Sequence, residues 1–149
     1  MDKPITYFIS GHIDLSKEEF DKFYKNEILL AVNNPNSKFV MGNAPGVDYM
    51  AQKLLIELFD NDDKKLDRIC VYHRDDNPGK IADPRIKTIG GFKSHDDKDR
   101  AMTMNSDIDI AYVRSIEESK ILYGDKYNPN RISGTQKNLL RRLSKQHIN

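Results

Sequence analysis

Apolar residues in this chain fall into short, near-continuous runs separated by longer amphipathic stretches. Five β-rich runs stand out, at residues 5–10, 38–41, 68–72, 86–89 and 108–113. Runs that do not alternate with polar residues suit strands covered on both faces. The stretches between them carry helical spacing. Ser16-Lys17-Glu18-Glu19 has capping-box form and opens a helix to about Val32, with Phe20, Phe23, Tyr24, Ile28, Leu30 and Ala31 on its apolar side. Asn33-Asn34-Pro35 ends it. A second helix runs from Gly46 or Val47 to about Phe59. A third runs from 94 to 106, with Ser94 as cap and acidic residues in the first turn. A fourth, from 135 to 146, has a stripe of Leu139, Leu140 and Leu143 and a basic side of Lys137, Arg141, Arg142 and Lys145. Residues 73–85, with Pro78, Gly79 and Pro84, read as a loop crossing, and residues 114–133 as a long loop or a short helix plus loop. Strands alternating with helices imply a three-layer α/β/α arrangement around a mainly parallel five-stranded sheet, a single Rossmann-like domain over residues 1–149.

Composition narrows the class. The chain has 149 residues, enough for one domain with a sizeable core. Its 38% hydrophobic and 32% charged content suits a soluble protein with a heavily solvated surface. The 24 basic and 23 acidic residues leave a net charge of +1, so no global field draws the protein to nucleic acid. Cys70 is the only cysteine, which excludes an intrachain disulfide; in the apolar run Arg-Ile-Cys-Val-Tyr it reads as a buried structural thiol. No leader pattern and no apolar run long enough for a bilayer are present, so a cytoplasmic protein without membrane contact is expected.

In open parallel sheets, ligands sit beyond the carboxyl ends of the strands. The first run is followed by Ser10-Gly11-His12, the second by Gly42-Asn43-Ala44-Pro45-Gly46-Val47-Asp48, the fourth by Gly90-Gly91-Phe92 and the fifth by Arg114-Ser115; Ser133-Gly134-Thr135 opens the last helix. Small, glycine-containing turns let backbone approach a ligand closely, and helix starts favour anions, phosphate above all. The Gly42–Asp48 turn, a strand entering a glycine loop and then at once a helix, carries most of this signal. Neither a Walker A sequence nor G-x-G-x-x-G is present, which argues against a P-loop NTPase or a generic NAD dehydrogenase.

Several residues have two readings. Asp48 either caps N–H groups of its own turn, or holds a ribose hydroxyl or serves as the carboxylate for glycosidic bond cleavage. His12 is a ligand contact or a loop histidine. Arg114 grips a phosphate bidentately or forms an ion pair. Arg100, among Asp96, Asp97 and Asp99, reads as an intrahelical pair. His95-Asp96-Asp97-Lys98-Asp99 has metal-ligand residue types without the spacing of a metal loop, so no metal and no cofactor are expected.

Taken in order, the motifs resemble the SLOG superfamily, which joins the lonely-guy phosphoribohydrolases, the DNA-processing protein A fold and other small Rossmann-like nucleotide-binding proteins. The resemblance rests on Ser-Gly-His after a strand, Gly-Asn-Ala-Pro-Gly-Val-Asp opening a helix, Asp99-Arg100 with Met104 before Ser106-Asp107-Ile108-Asp109-Ile110-Ala111, and Ser133-Gly134-Thr135. It covers nearly the whole chain. It implies a nucleotide or nucleotide-sugar ligand and a homodimer; the ligand is expected at the turns Ser10, Gly11, His12, Gly42, Asn43, Gly46, Ser133, Gly134 and Thr135, with Arg114 added from its place after the fifth run. In the phosphoribohydrolases the last motif is Pro-Gly-Gly-x-Gly-Thr-x-x-Glu with a catalytic glutamate. Here Asn138 stands in that place and Arg131-Ile132-Ser133 replaces Pro-Gly-Gly. An amide neither stabilises an oxocarbenium-like sugar nor acts as a base.

The expected function is therefore nucleotide binding at the carboxyl edge of the sheet. Any chemistry would be N-glycosidic cleavage or ribosyl transfer, with Asp48 as the remaining carboxylate. The alternatives are a non-catalytic sensor or carrier of a nucleotide-derived signal, and a single-stranded nucleic-acid binding module, against which the balanced charge argues.

Overall fold

The computed structural model describes residues 3–148. Five strands, β1 (Thr6–Ser10), β2 (Lys38–Met41), β3 (Ile69–Arg74), β4 (Lys87–Phe92) and β5 (Ile108–Ala111), form one sheet in the order β4-β3-β2-β1-β5. Every pairing is parallel. The chain steps outward from β1 to β4 and then returns to pair β5 with the other side of β1. The strand order thus reverses at β1, and a crevice is expected where the ends of β1 and β5 part.

Two helical layers cover the sheet. Residues Ile9, Phe39, Met41, Ile69, Val71 and Ile110 pack with Phe20, Tyr24, Ile28, Val47, Ala51 and Leu55 from helices α1 (Lys17–Phe23), α2 (Lys25–Val32) and α3 (Val47–Leu58). The alternate strand residues Phe8, Val40 and Tyr72 meet Met102 of α5 (His95–Met104), a smaller cluster. Helix α7 (Gly134–Ile148) lies beside α5 and β5 on that same face. Short helices α4 (Asp63–Leu66) and α6 (Ile116–Tyr123) complete the fold, the latter followed by a 3-10 turn at Gly124–Lys126. No helix among the described residues is long and apolar enough to cross a membrane.

Where element bounds depart from the hydrophobic pattern, particular contacts explain it. The first helix breaks into α1 and α2 at Tyr24, whose backbone leaves helical geometry at φ −121°. The Tyr24 hydroxyl donates to Ser10 O at 2.7 Å and accepts from Tyr112 N at 2.9 Å. That second bond takes the Tyr112 amide out of the ladder, so β5 stops at Ala111 rather than at 113. Glycines 90 and 91 lie inside β4, not after it. A Cβ on Gly90 would stand 2.2 Å from the His73 ring, so only glycine fits against it.

Candidate functional site

The crevice at the strand reversal is a cleft of about 410 Å³. One wall is the loop after β1, Gly11 to Asp14. The opposite wall is the start of α7, Ser133 to Gln136, and the side is closed by Val113, Arg114, α6 and the segment that follows it. Tyr24 sets the opening, because its hydroxyl stands between the β1 and β5 chains just where they stop pairing. Gly11 is required here: a Cβ on it would come within 2.4 Å of both the Tyr24 hydroxyl and Val47 Cγ2.

The cleft's chemistry is cationic and aromatic. Ser133 Oγ accepts from Gln136 N at 3.1 Å and so begins α7, leaving the first amides of the helix at the cleft wall. Lys126 and Arg131 line the same space with Tyr123 and Tyr127. Arg114, with its side chain 4% exposed, is held by Asp14 Oδ1 at 2.6 Å and by Glu19 at 3.7 Å. Burial opposes its charge, but the Asp14 partnership raises the guanidinium's pKa further above its usual value. Asp14 also accepts from the Tyr123 hydroxyl at 3.0 Å, which ties α6 to the β1 loop. His12 Nε2 accepts from Arg114 N at 3.3 Å. Burial, and then the Arg114 charge, lower the imidazole's pKa, which favours the neutral ring that this bond needs.

Six of the residues singled out in the sequence therefore meet in one cleft: Gly11, His12, Arg114, Ser133, Gly134 and Thr135. Asp48, Ser10, Gly42, Asn43 and Gly46 do not line it. Gly46 packs behind the β1 loop, where a Cβ would lie 2.5 Å from Ile13 O and 2.6 Å from His12 O, and its φ is +81°. The Asn43 side chain donates to Pro78 O. Asp48 turns back on its own loop, with Oδ2 accepting from Ala44 N at 3.1 Å. Sequence reasoning passed over Tyr24, Lys126, Tyr127 and Arg131, for nothing in the pattern distinguishes Tyr24 from a plain core aromatic or those three from loop residues.

A second polar group lies behind the cleft, at the end of β2. Lys98 of α5 is 5% exposed, and its Nζ stands 3.1 Å from where a Cβ on Gly42 would sit; Asp48 Oδ2 stands 2.7 Å from the same point. Glycine at 42 lets the two side chains close over the strand. Lys98 Nζ also approaches His95 Nδ1 at 3.4 Å and Asp99 at 3.8 Å. Burial pushes Asp48 up to about 7, against the opposing pull of the Ala44 amide and Lys98, and burial likewise raises Asp99. Among the described residues no group of three or more His, Cys, Asp or Glu is placed to hold a metal.

The raised pKa of Asp48 has a consequence for stability. The folded state holds this proton more tightly than the unfolded chain does, so the contribution is full below the unfolded value near 3.8 and is lost as pH rises through about 7. Asp48→Asn keeps an acceptor for Ala44 N and does not titrate. Urea denaturation is expected to show its stability, relative to the parent protein, improving from pH 4 to about pH 7 and levelling off above that. A pH-independent difference would mean that Asp48 stays ionised in the folded protein.

Three of the four basic residues of α7, Arg141, Arg142 and Lys145, are engaged within the protein. Arg141 bonds Asn138 Oδ1 at 2.7 Å and Asp96 at 3.2 Å. Arg142 reaches Ser106 O, Thr103 O and Asp109, while Lys145 caps Thr103 O, Met104 O and Ser106 O at the end of α5.

No family model, curated protein or solved structure matches this chain.

Proposed function

We propose that the protein binds a nucleotide or nucleotide-derived ligand of SLOG type in the cleft between the ends of β1 and β5. The observation that carries this reading is the convergence of the Ser133–Thr135 helix start with Lys126, Arg131, Tyr123 and Tyr127 on one cleft at the strand reversal. Helix amides and two cations suit a phosphate, and the tyrosines offer stacking area to a base or sugar. The α7 cations held by intramolecular contacts lend no support to single-stranded nucleic-acid binding.

A thermal-shift panel of nucleoside monophosphates, nucleotide-sugars and the corresponding nucleosides tests the proposal. At about 100-fold excess over Kd a ligand adds about 2.7 kcal/mol, which for a chain of this size raises Tm by roughly 5–10 °C. Phosphorylated ligands are expected to produce that shift and nucleosides much less. Gly134→Asp supplies the control: a Cβ there meets nothing within 4 Å, so the fold tolerates it, while its carboxylate repels phosphate at the helix start. An unchanged shift in that variant, or no shift by any nucleotide at millimolar concentration, counts against the proposal.

A second reading, cleavage of an N-glycosidic bond, names Asp48, a buried carboxyl that stands with Lys98 over Gly42 and outside the lining of the cleft. Base release followed by chromatography, present in the parent protein and lost in Asp48→Asn, separates an enzyme from a sensor or carrier that binds without turnover.

A further inference from the structure

The side of the cleft formed by α6 and the segment after it is loosely anchored. Between Ser115 and Ser133 no residue is buried. Helix α6 leaves Ile116, Ile121 and Leu122 exposed, Ile121 by 86%. A helix of eight residues does not persist in water by itself, and in proteins such helices depend on burying an apolar face. This one buries none, so its order depends on what ties down its ends.

The two ends are tied differently. At the start, Ser115 and Glu118 form a capping box, and Glu118 also accepts from the Tyr112 hydroxyl. The Tyr112 ring stacks on Phe23 of α1 with centroids 3.7 Å apart, which fixes that end to the sheet and its helical layer. At the far end the Tyr123 hydroxyl donates to Asp14 at 3.0 Å and accepts from Arg114 at 3.4 Å. Beyond it, the hydrogen bonds and ring contacts of residues 124–132 all fall within residues 120–131. The Tyr123–Asp14 bond therefore acts as a latch.

Charge gives the segment a reason to move. Lys126 and Arg131 lie on it and line the cleft, facing the start of α7. A helix start is itself electropositive, so in an empty cleft these cations and the α7 amides push the two walls apart. An anion held between them reverses the sign of that force.

We propose that residues 116–132 form a ligand-gated flap, which swings out when Tyr123 leaves Asp14 and is drawn shut by a phosphate bridging Lys126 and Arg131 to the start of α7. The gating rests on the nucleotide reading above; the opening does not.

Hydrogen–deuterium exchange followed by mass spectrometry tests the flap, with inorganic phosphate and the adenosine, cytidine, guanosine and uridine monophosphates as probes. Without a probe, amides of residues 116–132 are expected to exchange well before those of β1, β2 and α3, because opening leaves the sheet folded. A probe that raises Tm is expected to slow exchange in this segment roughly tenfold or more at about 100-fold excess over Kd. Tyr123→Phe removes only the latch hydroxyl. It is expected to speed that exchange roughly tenfold, the worth of one hydrogen bond to a charged group, while β1 and α3 quicken no more than any loss of stability in urea explains. Protection of residues 116–132 equal to that of the sheet, or exchange there that Tyr123→Phe leaves unchanged, overturns the flap. A probe that raises Tm yet leaves this exchange unchanged overturns the gating and leaves nucleotide binding standing. If no probe raises Tm, the nucleotide reading falls and the gating falls with it.

Discussion

Gly46→Ala is expected to unfold a large share of the protein at temperatures the parent chain withstands. At φ +81° and ψ −129° the backbone of Gly46 sits where an L side chain is strained, costing about 1–3 kcal/mol. The added methyl also meets the His12 and Ile13 carbonyl oxygens at 2.6 and 2.5 Å, and neither can swing aside as a flexible side chain would. Forcing the loop away adds a further cost of about 1–3 kcal/mol. The sum, about 4 kcal/mol, is a substantial part of a typical domain's stability. Urea denaturation measures it, with Gly134→Ala as the paired control, because that Cβ meets nothing. A loss below about 1 kcal/mol would mean that the β1 loop yields freely. The nucleotide binding proposed above should weaken along with stability, since the displaced His12–Ile13 segment forms a cleft wall.

Arg142→Met is expected to cost about 3–5 kcal/mol, the usual penalty for stripping one partner from a buried ion pair. Arg142 and Asp109 have side chains 8% and 5% exposed and meet at 3.0 Å. The same guanidinium bonds Ser106 Oγ at 2.5 Å and Ser106 O at 2.8 Å, so it also closes the end of α5. Methionine fills the volume and leaves Asp109 charged and alone. The double variant Arg142→Met/Asp109→Leu removes both charges and is expected to recover most of the loss. Chemical denaturation of the two singles and the double closes the cycle. Additive losses would show that the pair does not interact and that the cost comes from the α5 carbonyls. Some strain is already visible there: Asp109 Oδ2 and Arg142 Nε are buried without partners among the described residues.

How much of this was legible beforehand follows from the physics of each element. The five strands are visible because strands buried on both faces need apolar residues at nearly every position, and the sheet is parallel as the alternation with helices implied. The cap residues Ser16 and Ser94 act locally, and both caps form. Element ends are different, because distant contacts set them: β5 stops where an amide is claimed by a tyrosine 88 residues earlier in the chain. The site divides in the same way. Gly11, His12 and Ser133–Thr135 stand at strand and helix ends, where topology brings them together. Lys98 sits in a run of acidic residues that reads as a solvated helix start; its burial over Gly42, just past the end of β2, is a distant contact that helical periodicity does not encode. Arg142 and Lys145 of α7 are hidden for the same reason, since the α5 carbonyls they reach have no signature of their own.

The position of β1 carries a consequence for biosynthesis. Its two neighbours in the sheet come from opposite ends of the order of synthesis: the partner of Tyr7 on one side is Phe39, on the other Ile108. A nascent chain can assemble β1 to β4 early, but one flank of β1 stays unpaired until β5 emerges, and the cleft gains its far wall only with α7. The proposed ligand affinity should therefore appear abruptly, late in translation, and a ribosome stalled before β5 is made, at residue 108, would carry a partial sheet with an open edge, a natural substrate for chaperones.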